Sequence, residues 1–211
     1  MIRAWSYTLM NRKIVSIIRI SQFIIRRVKS FFSTSEYIFF QKVYTLASIE
    51  LESLKTSGIQ GMILDLDNTI VSEDDRYISP GAEAWIEQAK TQGFIFFILS
   101  NGKRHKRAKY WSRRLDIPLI NPANKPLPFA FCKALSYMRL QPKQVVVVGD
   151  SRHTDILGAW LTGCHSIQVA TLPHPFRWWE KLLGKRVQTP YPYGHTICDT
   201  TSSKLHTFYY K

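Results

Sequence analysis

The sequence has few cysteines and few acidic residues, and both shortages exclude classes of protein. It contains three cysteines, Cys132, Cys164 and Cys198, which are far apart and lack a Cys-x-x-Cys spacing. Neither a disulfide framework nor a zinc site is supported, and a reducing compartment fits best. The 15 acidic residues are outnumbered by 29 lysines and arginines, which gives a net charge of +14. This excess favours an anionic partner, such as a membrane surface, a nucleic acid or a polyanionic substrate.

Acidic residues are absent from residues 1–35, which carry seven basic ones. Apolar residues between positions 14 and 32 recur at helical spacing with basic residues opposite them, which predicts a basic amphipathic helix. Arg19 interrupts the apolar run, so a membrane-spanning helix is not expected. No small-residue cleavage site follows, so a secretory signal is not expected either.

Three interpretations of this helix stay open. It binds a membrane surface through residues 12–32, it docks on the rest of the protein, or it is a mitochondrial presequence if the source is eukaryotic. The first two interpretations predict a cytoplasmic protein, located in the first case at the inner face of the membrane.

The chain divides into a basic extension (1–35), a core (36–170) and an aromatic and basic extension (171–211). In the core, continuous apolar runs predict buried strands that begin near Met62 and Phe94 and at about 144–148 and 166–170, with a shorter candidate at 117–120. Helical patterns lie between them at about 79–91 and 129–138, and one or two short helices are expected within 36–60. Buried strands that alternate with helices predict an α/β fold with a parallel sheet.

Polar side chains follow three of these strands where each strand ends. Asp65 and Asp67 follow the first strand, Ser100 follows the second and Asp150 follows the third. Lys125 lies at the start of the helix near 129–138, where it could neutralise phosphate. Because α/β folds bind ligands at the carboxyl ends of their strands, we expect these groups to converge. Buried acids are costly unless a cation or a reacting group accompanies them.

Such a set of residues predicts a phosphoryl-transfer site that depends on Mg²⁺. The ion would be held by Asp65, by the backbone carbonyl of Asp67 and by Asp150, and it would offset the repulsion between a carboxylate and a phosphate ester. Asp65 would attack phosphorus and form an aspartyl phosphate. Asp67 would protonate the leaving oxygen and then deprotonate the hydrolytic water.

Further residues would hold the substrate and the metal shell. Ser100, Lys125 and the backbone at Asn101 and Gly102 would bind the phosphoryl oxygens, and Asp155 would orient the metal shell. A non-catalytic calcium- or magnesium-binding turn would leave Ser100 and Lys125 unexplained.

Basic residues are concentrated after the second strand, between positions 103 and 114. On a helix they would cover much of one side. A solvated helix face and a surface that captures anions beside the site are both compatible with this pattern.

The polar motifs resemble those of the haloacid dehalogenase (HAD) superfamily. Asp-Leu-Asp-Asn-Thr at 65–69 resembles the first motif, DxDxT. Ser100 resembles the second motif, Lys125 the third, and Gly149-Asp150 with Asp155 the fourth. Residues 58–69 and 147–158 are similar to the small YqeG-type proteins of HAD subfamily IIIA.

The resemblance covers residues 58–169 and implies a Rossmann-like three-layer sandwich with Mg²⁺-dependent phosphatase chemistry, in which Thr69 and Asp155 support the site. About thirty residues separate the first and second motifs, and about twenty-five separate the third and fourth. This leaves no room for a substantial cap domain. An uncapped site resembles those of superfamily members that act on large or surface-bound substrates. Relatives of this class include phosphatidylglycerophosphate phosphatases.

The function expected from the sequence is therefore a HAD-type phosphomonoesterase with phosphatidylglycerophosphate, an anionic phospholipid, as the leading substrate. One alternative is a phosphatase of a soluble sugar phosphate or nucleotide. Another is a basic RNA- or ribosome-binding protein that keeps the fold without turnover. Nucleic acid is the less favoured partner, because charge is the only signal for it.

Overall fold

A computed structural model of the chain describes residues 38–174, together with the single positions Gln22 and Leu182. The amphipathic helix predicted for 12–32 and most of the extension predicted for 171–211 lie outside the described residues. Within the described part of the chain, no helix is both long and apolar enough to cross a bilayer.

Six parallel strands form the sheet at the centre of the described residues. In chain order they are β1 (Phe40–Lys42), β2 (Gly61–Leu64), β3 (Ile95–Leu99), β4 (Leu119–Ile120), β5 (Val145–Gly149) and β6 (His165–Gln168). Their order across the sheet is β1-β6-β5-β2-β3-β4, and every neighbouring pair is parallel. The predicted α/β fold with a parallel sheet is confirmed, and the three strands expected to carry the site are adjacent.

Five α-helices connect the strands. They are α1 (Leu51–Thr56), α2 (Ala82–Thr91), α3 (His105–Arg114), α4 (Pro128–Met138) and α5 (Leu157–Thr162). Short 3-10 turns occupy Leu46–Ser48 and Pro142–Gln144, and a single π-helical turn occupies Arg152–Ile156. The two longer helices predicted from the apolar pattern correspond to α2 and α4.

Side chains of the central strands enter two separate cores. Met62 and Leu64 pack in the core that contains residues of α2 and α3, whereas Ile63 packs in the core that contains residues of α4. Because both faces of the sheet are covered, strands β2 and β5 are apolar at nearly every position.

Strand β1 was not predicted, because its three residues are all exposed and carry no alternating pattern. It pairs with β6, and Phe39 reinforces the pairing. The N–H of Phe39 donates to Nδ1 of His165 at 3.1 Å, and the two rings stack with their centroids 4.3 Å apart. The other ring nitrogen of His165, Nε2, lies 3.0 Å from the carbonyl oxygen of Lys143.

Elements of the core fill both positions at which a cap domain could be inserted. Between β2 and β3 the chain forms a polar loop, closed by two isolated bridges (Asp67 with Val71, and Val71 with Ile78), and then α2. Between Lys125 and β5 it forms α4 and a 3-10 turn. Within residues 38–174 there is accordingly no inserted cap domain.

The buried ring of His165 predicts a pH-dependent stability. Burial lowers its pKa, so the unfolded chain takes up the proton at a higher pH than the folded chain does. The stabilising contribution is complete above the ordinary histidine pKa of about 6.5 and is lost as the pH falls through the interval down to the lowered value. When the pH is lowered from 7.5 to 5.5, we expect the Tm of the wild type to fall by about 2 °C more than the Tm of His165→Gln, as measured by circular dichroism. Equal decreases in Tm would contradict this role.

Candidate active site

The central strands deliver their polar residues into one cleft of about 590 Å³. The N–H of Asp65 donates to the carbonyl of Val148 at 2.9 Å, so the pairing of β2 with β5 continues up to the first carboxylate. The residues that line the cleft include all those predicted for catalysis, phosphate binding and metal binding: Asp65, Asp67, Ser100, Asn101, Gly102, Lys125 and Asp150. The structure therefore brings the predicted site residues together at the carboxyl edge of the sheet.

Lys125 lies between two buried carboxylates. Its Nζ is 2.5 Å from Oδ1 of Asp65 and 2.6 Å from Oδ1 of Asp155, and all three side chains are buried. Oxygens of Asp65, Asp150 and Asp155 lie within 4.8 Å of one another. Three carboxylates and one ammonium group are thus concentrated in one small volume.

The crowding shifts the pKa values of Asp65 and Lys125. Burial raises the pKa of Asp65 well above its ordinary range, and the carboxylates of Asp155, Asp150 and Asp67 raise it further, against the opposing effect of Lys125. The pKa of Lys125 is also raised, because the attraction of Asp155 and Asp65 outweighs the effect of burial. Additional positive charge at this cluster would favour the ionised form of Asp65.

A divalent cation fits this cluster. With all groups ionised, three carboxylates and one ammonium leave a charge of −2, and oxygen donors are the ligands that Mg²⁺ prefers. The carboxylate of Asp155 already accepts hydrogen bonds at Oδ2 from Ser151 N–H (3.1 Å) and from the hydroxyl of Thr154 (3.2 Å). These contacts favour a supporting role for Asp155, as the sequence predicts.

Thr69 connects the loop after β2 with the loop after β5, and Gly149 makes room for Asp155. The hydroxyl of Thr69 donates to Oδ2 of Asp65 at 3.3 Å and accepts the N–H of Asp150 at 3.1 Å. Gly149 allows the close approach of Asp155, because a Cβ atom at this position would lie 2.4 Å from Cγ of Asp155. Thr69 and Asp155 support the cleft from behind, since neither is among the residues that line it.

Asp67 is held separately from Asp65. Its Oδ2 accepts the hydroxyl of Ser100 at 2.8 Å, and the oxygen of Ser100 accepts the N–H of Gly102 at 3.0 Å. A Cβ atom at Gly102 would lie 2.6 Å from the same Asp67 oxygen, so a side chain at this position would displace the carboxylate. The loop after β3 is therefore shaped around the carboxylate of Asp67.

Side-chain amides join the loop after β3 to the loop that carries Lys125. Asn101 donates through Nδ2 to the carbonyl of Lys125 at 3.0 Å and accepts the N–H of Lys125 at 2.8 Å. Asn121 donates to the carbonyls of Ser100 (3.2 Å) and Gly102 (2.7 Å). The sequence predicts a role for Asn101 only through its backbone and predicts none for Asn121, whose partners become apparent only in the fold.

Arg107 is an exception within the basic segment 103–114. Its side chain is 3% exposed and bonded to Asp67 and Asp75, so it does not belong to a solvated helix face, whereas Lys103 and Arg104 are exposed and line the cleft. Helix α3 buries Arg107 together with Ala108 and Trp111. That i, i+1, i+4 spacing was the available sequence signal, since it places Arg107 on the apolar face of a helix that is otherwise basic.

Comparison with known proteins agrees with this geometry. A family model of haloacid dehalogenase-like hydrolases matches residues 10–159. A protein of Bacillus subtilis (strain 168) named "Probable phosphatase YqeG" is 37% identical over 142 residues, which cover 67% of this chain and 79% of that protein.

Two further similarities are more distant. The glyceraldehyde 3-phosphate phosphatase of Pyrococcus furiosus is 27% identical over 99 residues, which cover 42% of this chain and 40% of that protein. The solved structure of a HAD family hydrolase from Deinococcus radiodurans R1 is 17% identical, with a TM-score of 0.44 over 63% of this chain and 92% of that chain.

A parallel α/β sheet with carboxylates and a lysine at its carboxyl edge, together with the family match over residues 10–159, defines the class of protein as a haloacid dehalogenase-like hydrolase. The chain belongs to the haloacid dehalogenase-like hydrolases and is a HAD-type phosphatase. The family resemblance and the enzyme class predicted from the sequence are both confirmed.

The cluster of Lys125 with Asp65, Asp150 and Asp155 predicts that the stability of the protein depends on divalent cations. Lys125→Gln leaves Asp65 and Asp155 without their buried counter-charge, and we expect it to lower the free energy of unfolding by about 3 kcal/mol in EDTA. The loss should be smaller in Mg²⁺, because the ion binds the folded cluster and replaces part of the missing charge. Urea unfolding with and without Mg²⁺ measures both effects.

The matched control is Lys133→Gln, an exposed lysine on α4, which should change stability by no more than about 0.5 kcal/mol. No stabilisation of either protein by Mg²⁺ would contradict cation binding at this cluster, and an equal Lys125→Gln loss in EDTA and in Mg²⁺ would contradict replacement of the Lys125 charge by the ion.

Proposed function

We propose that this phosphatase is a Mg²⁺-dependent phosphomonoester hydrolase that acts through an aspartyl phosphate on Asp65. Its leading substrate is phosphatidylglycerophosphate at a membrane surface. The observation that carries the proposal is the buried 2.5 Å contact of Lys125 with Asp65, beside the carboxylates of Asp150 and Asp155. A buried carboxylate with a strongly shifted pKa, surrounded by other acids, indicates a functional site. A carboxylate in such a site can act as a nucleophile toward phosphate when cations offset the repulsion.

The residues divide the chemistry among them. Asp65, the backbone carbonyl of Asp67 and Asp150 would hold Mg²⁺, which supplies the charge neutralisation that lets a carboxylate approach a phosphate. An oxygen of Asp65 attacks phosphorus, the ester bond breaks, and Asp67 gives its proton to the departing alkoxide. Asp67 then takes a proton from water, which attacks the aspartyl phosphate, releases phosphate and restores Asp65.

The residues proposed to bind the phosphoryl oxygens lie together. Ser100, Asn101, Gly102 and Lys125 line the same cleft as Asp65. The paired hydrogen bonds between Asn101 and Lys125 fix the two loops relative to each other. The Ser100 hydroxyl donates to Asp67 and the Gly102 N–H donates to Ser100, so these two donors would exchange those partners for phosphoryl oxygens, whose charge they would then stabilise.

Exposed side chains of the two segments that carry cleft residues, here called the rim, support a substrate at a membrane surface. Leu127 and Phe129, which closely follow Lys125 in the chain, are 43% and 57% exposed. Lys103 and Arg104, which line the cleft, are exposed as well. Exposed apolar and cationic side chains in these two segments favour an anionic lipid interface. A cleft without a cap in the described residues would leave its opening accessible to a lipid head group.

A soluble phosphate ester is the second candidate substrate. The relative from Pyrococcus furiosus is named a glyceraldehyde 3-phosphate phosphatase, and a cleft of about 590 Å³ accepts a molecule of that size. The candidates therefore differ in whether the rim contributes to binding.

Phosphate release by the purified protein in Mg²⁺ tests the chemistry and the substrate together. Phosphatidylglycerophosphate in mixed micelles is compared with a panel of soluble sugar phosphates and nucleotides. We expect preference for the lipid, and a loss of at least about 10³-fold in kcat in Asp65→Asn, which removes the nucleophile. Activity on soluble esters alone would discard the lipid, and equal activity in Asp65→Asn would contradict the mechanism.

The exposed side chains of Leu127 and Phe129 predict an effect on membrane binding that can be separated from catalysis. The double variant Leu127→Ser and Phe129→Ser should lower activity on lipid in anionic vesicles by about tenfold, because two partly buried apolar contacts with the bilayer are lost. Activity on a soluble ester should not change. Ile95→Ser is the matched control, since Ile95 is 42% exposed but starts β3 at the opposite edge of the sheet. A similar loss in both variants would show that the rim does not meet the membrane.

A further inference from the structure

The polar loop between β2 and α2 is fastened to helix α3 by one buried arginine. Arg107 Nε donates to Oδ1 of Asp75 at 2.6 Å, Nη2 donates to the carbonyl of Ser72 at 2.7 Å, and Nη1 donates to Oδ1 of Asp67. All three nitrogens of the guanidinium group are therefore engaged. Its side chain is 3% exposed, so its location depends on these contacts rather than on water.

Asp67 is thereby held at both oxygens. Arg107 binds Oδ1 and the hydroxyl of Ser100 binds Oδ2, from two different elements of the fold. A carboxylate has about four acceptor directions, so two bonds leave acceptor capacity for a transferred proton. The side chain of Asp67 is 23% exposed and lines the cleft, as expected for a group that must reach the substrate.

The guanidinium group of Arg107 is anchored by Asp75, on the side away from the cleft. Asp75, which accepts Nε of Arg107, also accepts the indole N–H of Trp111 at 3.1 Å. Trp111 is fully buried, and Asp75 is not among the residues that line the cleft. A chain of hydrogen bonds therefore leads from the core to the cleft, through Trp111, Asp75, Arg107 and Asp67.

We propose that Arg107, anchored by Asp75, is a positioning residue that orients the carboxylate of Asp67 for proton transfer to the leaving oxygen. The inference rests on the proposed role of Asp67. It requires the planar fork of arginine, because a lysine ammonium keeps the charge but is a point charge that does not reproduce the fixed fork joining Asp67, Asp75 and Ser72.

The dependence of rate on the leaving group tests this orientation. An alkyl alkoxide needs a proton to depart, whereas 2,4-dinitrophenolate departs without one. Because kcat/KM reports only the steps up to departure of the leaving group, it isolates this proton transfer from the later hydrolysis of the aspartyl phosphate. General acid catalysis contributes about 10²- to 10⁴-fold, so a misplaced acid should affect the alkyl ester selectively.

The variants are Arg107→Lys and Asp75→Asn, with Asp67→Asn as the reference. The substrates are 2,4-dinitrophenyl phosphate and one alkyl ester that the wild type hydrolyses, either benzyl phosphate or phosphatidylglycerophosphate. We expect Arg107→Lys to lower kcat/KM at least about tenfold for the alkyl ester and no more than about twofold for the dinitrophenyl ester. Asp75→Asn should give the same pattern at smaller size, and inhibition by inorganic phosphate should not change.

Arg114→Lys is the matched control, because Arg114 lies on the same helix and also contacts a carboxylate through two nitrogens, at Glu83. It should leave both rates unchanged. Equal losses for the two substrates, or a wild-type rate for the alkyl ester in Arg107→Lys, would overturn the proposal. If Arg107→Lys does not fold, Asp75→Asn decides by the same criterion.

The reference variant separates the two hypotheses. If Asp67→Asn shows no dependence on the leaving group, the proposed role of Asp67 fails. If Asp67→Asn shows the dependence and Arg107→Lys does not, only the positioning role of Arg107 fails.

Discussion

The ammonium group of Lys125, held between Asp65 and Asp155, is the interaction on which the rest of the site depends. Two buried carboxylates without a counter-charge would cost several kcal/mol each, so the fold has to bring the Lys125 loop to both of them. Asp65 directly follows β2, Asp155 lies in the turn after β5, and Lys125 lies just before α4. The contact therefore requires that the central strands be adjacent and parallel and that the loop before α4 return to their carboxyl edge.

The convergence of these residues could be predicted from the sequence because it follows from the sheet alone. The runs that become β2, β3 and β5 are apolar at nearly every position, which indicates strands that are covered on both faces. Parallel strands of this kind place their carboxyl ends at one edge, so Asp65, Ser100 and Asp150 are expected on the same edge of the sheet. That they are also neighbours depends on the adjacency of β5, β2 and β3, which the apolar runs do not determine.

Other parts of the site depend on partners that are distant in the chain, and local patterns do not identify them. Arg107 resembles its exposed basic neighbours, and its partners Asp75 and Asp67 lie 32 and 40 residues away. Asn121 follows a two-residue strand, with no apolar period to mark its orientation. Strand β1 is short and exposed, and it pairs with β6, which is more than a hundred residues further along the chain. In each case tertiary contacts decide what propensity cannot.

The two carboxylates of the first motif are two residues apart, yet each has its own cation from a different side of the fold. Lys125, on the α4 side, lies against Asp65, and Arg107, from α3, lies against Asp67. If one cation served both carboxylates, any movement of that cation would change the electrostatic environment of the proposed nucleophile and of the proposed proton donor together. With separate cations, the loop between β2 and α2 is fixed on both sides before a substrate arrives. Such fixed charges are the arrangement that stabilises a transition state without reorganisation. In the proposed mechanism, this arrangement would keep the two neighbouring acids in two different roles in a cleft that has no cap within residues 38–174.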